Sequence, residues 1–181
     1  MRRESENSVM PQNFRYWSFR IVCLLLLVSL TACGSSPKTN PKTSSYTHTG
    51  ATQGKSDRGK SEKVVQVAMS MIGTPYKYGG ISPGSGFDCS GLVYFSHRQN
   101  GVTLPRSSYA QYKASNPVSR KALRRGDLLF FRISGRKVSH VGIYLGNNRF
   151  VHSPSSGKKV SIAKLNSSYW SKRFIRGGRI F

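Results

Sequence analysis

Among the three cysteines and four histidines of this 181-residue sequence, Cys89, His140 and His152 are the candidates for nucleophilic chemistry. A cysteine beside a histidine supplies a sulfur nucleophile and its base, and a third polar group usually holds the imidazole in the useful tautomer. Cys89 stands in Gly86-Phe87-Asp88-Cys89-Ser90-Gly91-Leu92-Val93-Tyr94-Phe95, a glycine-rich loop running into an apolar segment that reads as a buried helix. Asp88 is a good N-cap and would put Cys89 in the first turn, where unpaired N–H groups and the helix dipole favour an anion. The thiol pKa is therefore expected to fall. A buried structural cysteine looks the same in sequence, so this stretch alone leaves both readings open.

The N-terminus bears on that choice. Ile21 to Leu30 is a ten-residue apolar run behind Arg15 and Arg20. It is too short to cross a bilayer comfortably and has the form of a signal-peptide h-region. Leu30-Thr31-Ala32-Cys33 resembles the lipobox of bacterial lipoproteins. That resemblance implies removal of residues 1–32, with Met1 or Met10 as the start, and lipid on Cys33 as the first mature residue. An ordinary secretory signal with a chance cysteine is the alternative. Gly34, where an Asp would resemble the inner-membrane retention signal, points to an outer-membrane destination on the periplasmic side of the envelope. Cys23 would leave with the signal and Cys33 would be blocked, so Cys89 would be a lone free thiol in an oxidising compartment. An unpaired thiol there risks oxidation, which favours a chemical role over packing.

Charge narrows the partners. The chain has 29 Lys and Arg against 6 Asp and Glu, and without residues 1–32 the balance is 25 to 4, a net +21. Such a surface implies an anionic partner: nucleic acid, an acidic membrane surface or an acidic polymer. Export argues against nucleic acid, and the basic residues are spread along the chain rather than grouped with aromatics in one recognition element. The four remaining carboxylates, Asp57, Glu62, Asp88 and Asp127, leave little for a metal site or a two-carboxylate mechanism. No metal or organic cofactor is expected.

Of the four histidines, His48 falls in a polar segment and reads as solvated. His97 lies eight residues along the Cys89 helix, about 12 Å away, and reads as a surface or helix-packing residue. His140 and His152 remain, both on expected strands. Among the carboxylates, Asp57 lies in the linker, Glu62 at the start of the first helix, Asp88 serves as cap and Asp127 serves its strand. His152 is then the best group to orient His140. Residues paired across an antiparallel hairpin have a constant index sum, and this sum must be even for His140 and His152 to share a face. A three-residue loop, Gly146 to Asn148, would pair Leu145 with Arg149 and meet the condition; a two-residue loop would need a bulge to correct the register.

The elements that must position these groups follow from pattern. Residues 33–60, the lipidated cysteine and a Ser, Thr, Lys, Gly and Pro-rich stretch, read as a disordered linker with a typical span of roughly 30 Å. Val64, Val65, Ala68, Met69 and Ile72 have helical spacing, with Gly73 as a stop. The Cys89 helix should end near Asn100-Gly101, and a short helix should start around Leu104 to Ser108 and run through Gln111 and Tyr112. After Pro117 the texture becomes strand: Leu128 to Phe131, Val138 to Leu145, Arg149 to His152, Val160 to Ala163 and Phe174 to Ile180. Val141, Ile143 and Leu145 form the better core face; Val138, His140, Gly142 and Tyr144 form the other. Helices first and an antiparallel sheet afterwards make residues 61–181 one α+β domain.

Several segments together resemble a known family. They are Gly73-Thr74-Pro75-Tyr76-Lys77-Tyr78-Gly79-Gly80, Phe87-Asp88-Cys89-Ser90-Gly91-Leu92-Val93, Leu104-Pro105-Arg106-Ser107-Ser108, Arg125-Gly126-Asp127-Leu128-Leu129-Phe130-Phe131 and Ser139-His140-Val141-Gly142-Ile143-Tyr144-Leu145-Gly146. In this order they resemble the NlpC (new lipoprotein C) family of cell-wall cysteine peptidases, and the lipobox resembles that of its lipoprotein members that hydrolyse murein. The resemblance implies a reduced papain-like fold, with a nucleophile-bearing helix packed on an antiparallel sheet. It implies Cys89 as nucleophile, His140 as base and His152 as third residue. It also implies Tyr76 on the oxyanion or substrate side, and Asp88 and Ser90 in substrate recognition. Arg106 is a candidate clamp for a substrate carboxylate, with a solvated or capping arginine as the alternative. The expected activity is hydrolysis of an amide bond in peptidoglycan stem peptides or crosslinks by a membrane-anchored monomer. An amidase acting between sugar and stem, or a non-catalytic murein-binding module, are the alternatives.

Overall fold

The computed structural model describes residues 50–181 except Ser156. Cys23, Cys33, His48, the signal segment and the linker up to residue 49 lie outside the described residues. Helix α1 spans Gly50–Ser70, so residues 50–60, read as linker from their composition, are helical. Once Val64, Val65 and Ala68 are packed at 0% exposure, each further residue adds a backbone bond to an existing helix. Ile72, expected on the same apolar face, falls beyond the helix end and is exposed, and Gly73 takes a positive φ of 90°.

A small hairpin, β1 Ile81–Ser82 with β2 Gly86–Phe87, leads into α2, Cys89–Arg98. Asp88 is its N-cap, accepting from the Gly91 N–H, as expected. Helix α3, Ser108–Ala114, is capped by Ser107, whose hydroxyl accepts from the Ala110 N–H at 3.2 Å. Strand β3, Asn116–Val118, escaped the sequence reading because Pro117 argues against a strand; as an outermost strand it can tolerate the missing N–H. Next come β4 Leu128–Phe131, β5 His140–Gly146, β6 Arg149–His152, β7 Ser161–Lys164, helix α4 Ser168–Ser171 and β8 Phe174–Arg179.

The large strands form one six-stranded antiparallel sheet in the order β3-β8-β4-β5-β6-β7. One core cluster joins α1 and α2 to the sheet through Val64, Val65, Leu92, Val93, Phe130, Val141, Ile143 and Val151. A second cluster, Leu129, Phe131, Phe150 and Leu165, packs with Tyr144, Trp170 and Phe174. This two-sided burial is why Leu128 to Phe131 reads as a continuous apolar run rather than an alternating one. Val138 precedes β5 and joins the first cluster, not the His140 face on which alternation had placed it.

The β5–β6 hairpin solves the register problem by the bulge. Its loop is the two-residue Asn147-Asn148, both with positive φ (51° and 54°), as a tight hairpin turn requires. Ile143 pairs with Val151 and Tyr144 with Phe150, whereas Gly146 pairs with Arg149, so Leu145 is the extra residue. The index sum in the paired part is 294, and His140 and His152 lie on one face.

The start of α2 is locked by backbone contact. A Cβ on Gly91 would lie 1.9 Å from the Gly80 carbonyl oxygen, so the 73–80 loop can rest on this helix only over a glycine. Gly91→Ala is expected to cost about 1–3 kcal/mol, the usual penalty of overpacking, read as a lower denaturant midpoint. An unchanged midpoint would refute the close approach.

Candidate active site

Cys89 sits at the N-terminus of α2, half-buried against the first core cluster, and is a free thiol. It lines a cleft of about 430 Å³ with Tyr76, Tyr78, Asp88, Ser90 and Arg106, and Tyr78 stands 86% exposed there. The two imidazoles lie buried at the same end of the sheet. A 2.9 Å hydrogen bond joins His140 Nε2 to His152 Nδ1. If the Nε2–H of His140 donates, Nδ1 of His140 is left as the base. The link between thiol and imidazoles runs through the start of β5. The last residues paired between β5 and β6 are Ile143 and Val151, and the N–H of Val141, next to His140, is turned toward the Cys89 sulfur.

Protonation is where sequence reasoning went astray. Burial pushes the Cys89 thiol up to about 11, and the Asp88 carboxylate adds to the rise. The N–H groups of Val141, Ser90 and Cys89 itself pull the other way without reversing it. The expected fall assumed that the helix N-terminus would decide the matter, but desolvation is the larger effect. Burial likewise pushes His140 down to about 3, with His152 contributing, and His152 down to about 4, with the Lys158 ammonium contributing. Burial thus favours the neutral thiol and the neutral imidazoles over their charged forms.

Asp88 does more than cap. Its Oδ1 accepts from the Gly91 N–H at 2.7 Å, Ser90 Oγ at 3.1 Å and Arg106 at 2.9 Å, and its Oδ2 accepts from the Gly79 N–H at 2.9 Å and Arg106 at 2.6 Å. Burial alone would raise this carboxyl, but Arg106 and the N–H and O–H donors hold it below its ordinary value. Arg106 also donates to Ser90 Oγ at 3.0 Å and the Gly80 carbonyl at 3.3 Å. Its two terminal nitrogens thus bond Asp88, Ser90 and the Gly80 carbonyl, and the candidate role of Arg106 as a clamp for a substrate carboxylate has to work beside these bonds. Tyr76 lies close enough to Cys89 and Asp88 for their negative charges, after burial, to raise its phenol pKa.

The other sequence candidates fall outside the site. His97 is fully buried, with Nδ1 2.9 Å from the Val93 carbonyl and its ring stacked on Phe181, so of the two roles expected, surface or helix packing, it has the second. Glu62 pairs with Arg125, and Asp127 with Arg179 and the Arg124 N–H. Among the described residues no group of three or more His, Cys, Asp or Glu side chains could hold a metal.

Three positioning residues were missed. Gln111 is fully buried, and its Nε2 donates to the Ser90 and Pro105 carbonyls at 3.0 and 2.9 Å, fixing the turn that carries the nucleophile. Ser153 donates to the Phe87 carbonyl at 2.7 Å and ties the end of β6 to the residue before the cap. Trp170, on α4, meets the His140 ring at 5.3 Å and the His152 ring edge-on at 4.9 Å. A buried glutamine signals itself only by its place on a helix's apolar side, and a four-residue helix has no periodicity to reveal Trp170.

The sequence pattern of the NlpC/P60 family matches residues 73–179. The chain belongs to this family. It is 39% identical over 131 residues to murein DD-endopeptidase MepH of Escherichia coli, covering 68% of this chain and 48% of that protein. It is 48% identical over 110 residues to murein DD-endopeptidase MepS/murein LD-carboxypeptidase of the same species, covering 60% and 56%. The chain spans about half the length of these curated relatives. An NLP/P60-family protein from Staphylococcus aureus, described as similar to lipoprotein, superposes with a TM-score of 0.62 at 36% identity, covering 68% of this chain and 42% of that one. The peptidoglycan hydrolase RipB from Mycobacterium tuberculosis gives 0.58 at 30% identity, covering 69% and 66%. The architecture is thus the papain-like α+β fold of NlpC/P60 domains, as the sequence resemblance implied.

Two measurements test the site's electrostatics. Alkylation of Cys89 by iodoacetamide should be slow at pH 7 and rise about tenfold per pH unit until the thiol ionises near 11. A rate that stays flat down to pH 5 would instead show a resting thiolate–imidazolium pair. Trp170→Ala should let water reach both rings and raise their pKa values from about 3 and 4 toward 6.5, read by NMR titration of the folded variant. Unmoved values would show that Trp170 does not shield them.

Proposed function

We propose that this chain is a cysteine peptidase that hydrolyses an amide bond in the peptide part of peptidoglycan. The observation that carries the reading is a free thiol at a helix N-terminus, lining a cleft and met by the N–H of Val141, whose neighbour His140 is hydrogen-bonded to His152. Its support from kinship is that the relatives are named murein endopeptidases and peptidoglycan hydrolases.

In this mechanism the Cys89 sulfur attacks the carbonyl carbon as its proton passes to His140. The thiol at about 11 and the imidazole at about 3 keep the proton on sulfur until a substrate is present. His152 holds His140 in the accepting tautomer, and two buried imidazoles without a carboxylate confine the positive charge to the step that needs it. Backbone N–H groups at the start of α2, with Tyr76, stabilise the oxyanion. The imidazolium then protonates the departing nitrogen, and water hydrolyses the thioester. Asp88, Arg106 and Ser90 shape the cleft wall and reach substrate only through what their own hydrogen bonds leave free.

Candidate bonds include the γ-D-glutamyl–diaminopimelate bond of the stem and the D-alanyl–diaminopimelate crosslink. Stem carboxylates suit the basic surface. Lipid on Cys33 would hold the monomer on the periplasmic side of the envelope, at the outer membrane, which labelling with a radioactive fatty acid would detect.

Digestion of defined crosslinked and uncrosslinked muropeptides, with mass spectrometry of the new chain ends, is the deciding experiment. Endopeptidase ends are expected, and Cys89→Ala should lower the rate about 10⁴-fold or more. Ends at the sugar–stem junction would make the chain an amidase. No new ends from the wild type, or equal activity in Cys89→Ala, would remove the peptidase reading.

A further inference from the structure

A second cleft, of about 420 Å³, opens beside the histidines, lined by Ile133, His152, Lys158, Ile162, Tyr169 and Trp170 among others. It shares no lining residue with the Cys89 cleft, yet one loop borders both, and a backbone hydrogen bond joins a segment of each. On one side the loop between β4 and β5 gives Ile133 to the second cleft and Ser139 to the first. That loop is closed on itself by the Ile133 and Ser134 N–H groups donating to Ser139 Oγ at 2.9 and 3.1 Å. On the other side the Tyr76 N–H donates to the Lys158 carbonyl at 2.8 Å, joining a residue of each cleft through the backbone. Cys89 lines the first cleft, and His152, hydrogen-bonded to His140, lines the second.

The second cleft is chemically distinct. Ile133, Ile162 and Tyr169 are exposed apolar walls at 37%, 41% and 45%. No carboxylate lines it, and Lys158 is exposed and makes no ion pair among the described residues. Its ammonium lies near enough to His152 to act on that imidazole. The site thus offers a cation and an apolar wall on the histidine side of the reacting centre.

In acyl transfer to sulfur, the acyl half of the substrate stays with the thiol, and the half bearing the nitrogen is protonated and released from the imidazole side. Resting on the peptidase reading above, we propose that the second cleft binds the amine-side half of the substrate, with Lys158 taking a carboxylate that this half carries. Both candidate bonds place diaminopimelate on the amine side, and that residue keeps a carboxylate outside the stem backbone. Lys158 would then discriminate the free acid from the amidated form of the same residue.

The test separates binding from turnover. The Cys89→Ala chain is titrated by calorimetry with a diaminopimelate-containing stem tripeptide, in free-acid and amidated forms. The free acid should bind about threefold to tenfold more tightly, as expected for one exposed charge-assisted pair. Adding Lys158→Gln should abolish that preference, whereas adding Lys159→Gln should leave it intact. Equal binding of the two forms, or a preference that survives Lys158→Gln, overturns the site. Turnover of crosslinked muropeptides by the wild type tests the parent reading independently. Cleavage without any acid preference sinks only the second cleft, and a preference seen in binding without cleavage sinks only the peptidase.

Discussion

The carboxylate of Asp88 is the group on which the geometry of the nucleophile depends. It is one residue from the reactive sulfur, only 13% exposed at its side chain, and surrounded by donors from three parts of the chain. The Gly79 N–H brings in the loop after α1, the Gly91 N–H starts α2, and Arg106 brings in the segment leading to α3. A carboxylate removed from water must recover its lost solvation from fixed donors. Those donors are what orient the turn around Cys89, and the Gly80–Gly91 contact lets them come close enough.

The same carboxylate bears on reactivity. Its negative charge beside the sulfur opposes ionisation, and burial opposes it more strongly. Burial therefore favours a neutral thiol and neutral imidazoles, a state that needs no internal charge pair and exposes no thiolate to oxidants. Helix-terminal N–H groups and the Val141 N–H are already aimed at the sulfur, so the environment favours charge once an electrophile arrives.

Much of this was legible in the sequence because it is local. The Asp88 cap, the short helix beginning around Leu104 to Ser108 and the apolar run of β4 each follow from a few adjacent residues. So did the demand that two histidines twelve positions apart share a face, since parity in a hairpin is a matter of counting. What escaped is non-local or too short to carry a period. The pKa of Cys89 depends on burial by elements far away in the chain, and the engagement of Arg106 depends on a residue eighteen positions away. The short α4 and the Pro117-bearing β3 lack any pattern, and α1 runs back to Gly50 through residues whose composition suggests no helix at all.

The bulge at Leu145 also decides where this protein can change length. Loss of Leu145 would leave Tyr144 still opposite Phe150 and Ile143 still opposite Val151, and the hairpin would simply become regular. Loss of a single residue between His140 and Tyr144 would turn His140 to the other side of the sheet and separate it from His152. Insertions and deletions compatible with the imidazole pair are thus confined to the tip of this hairpin, within a residue or two of positions where they destroy it.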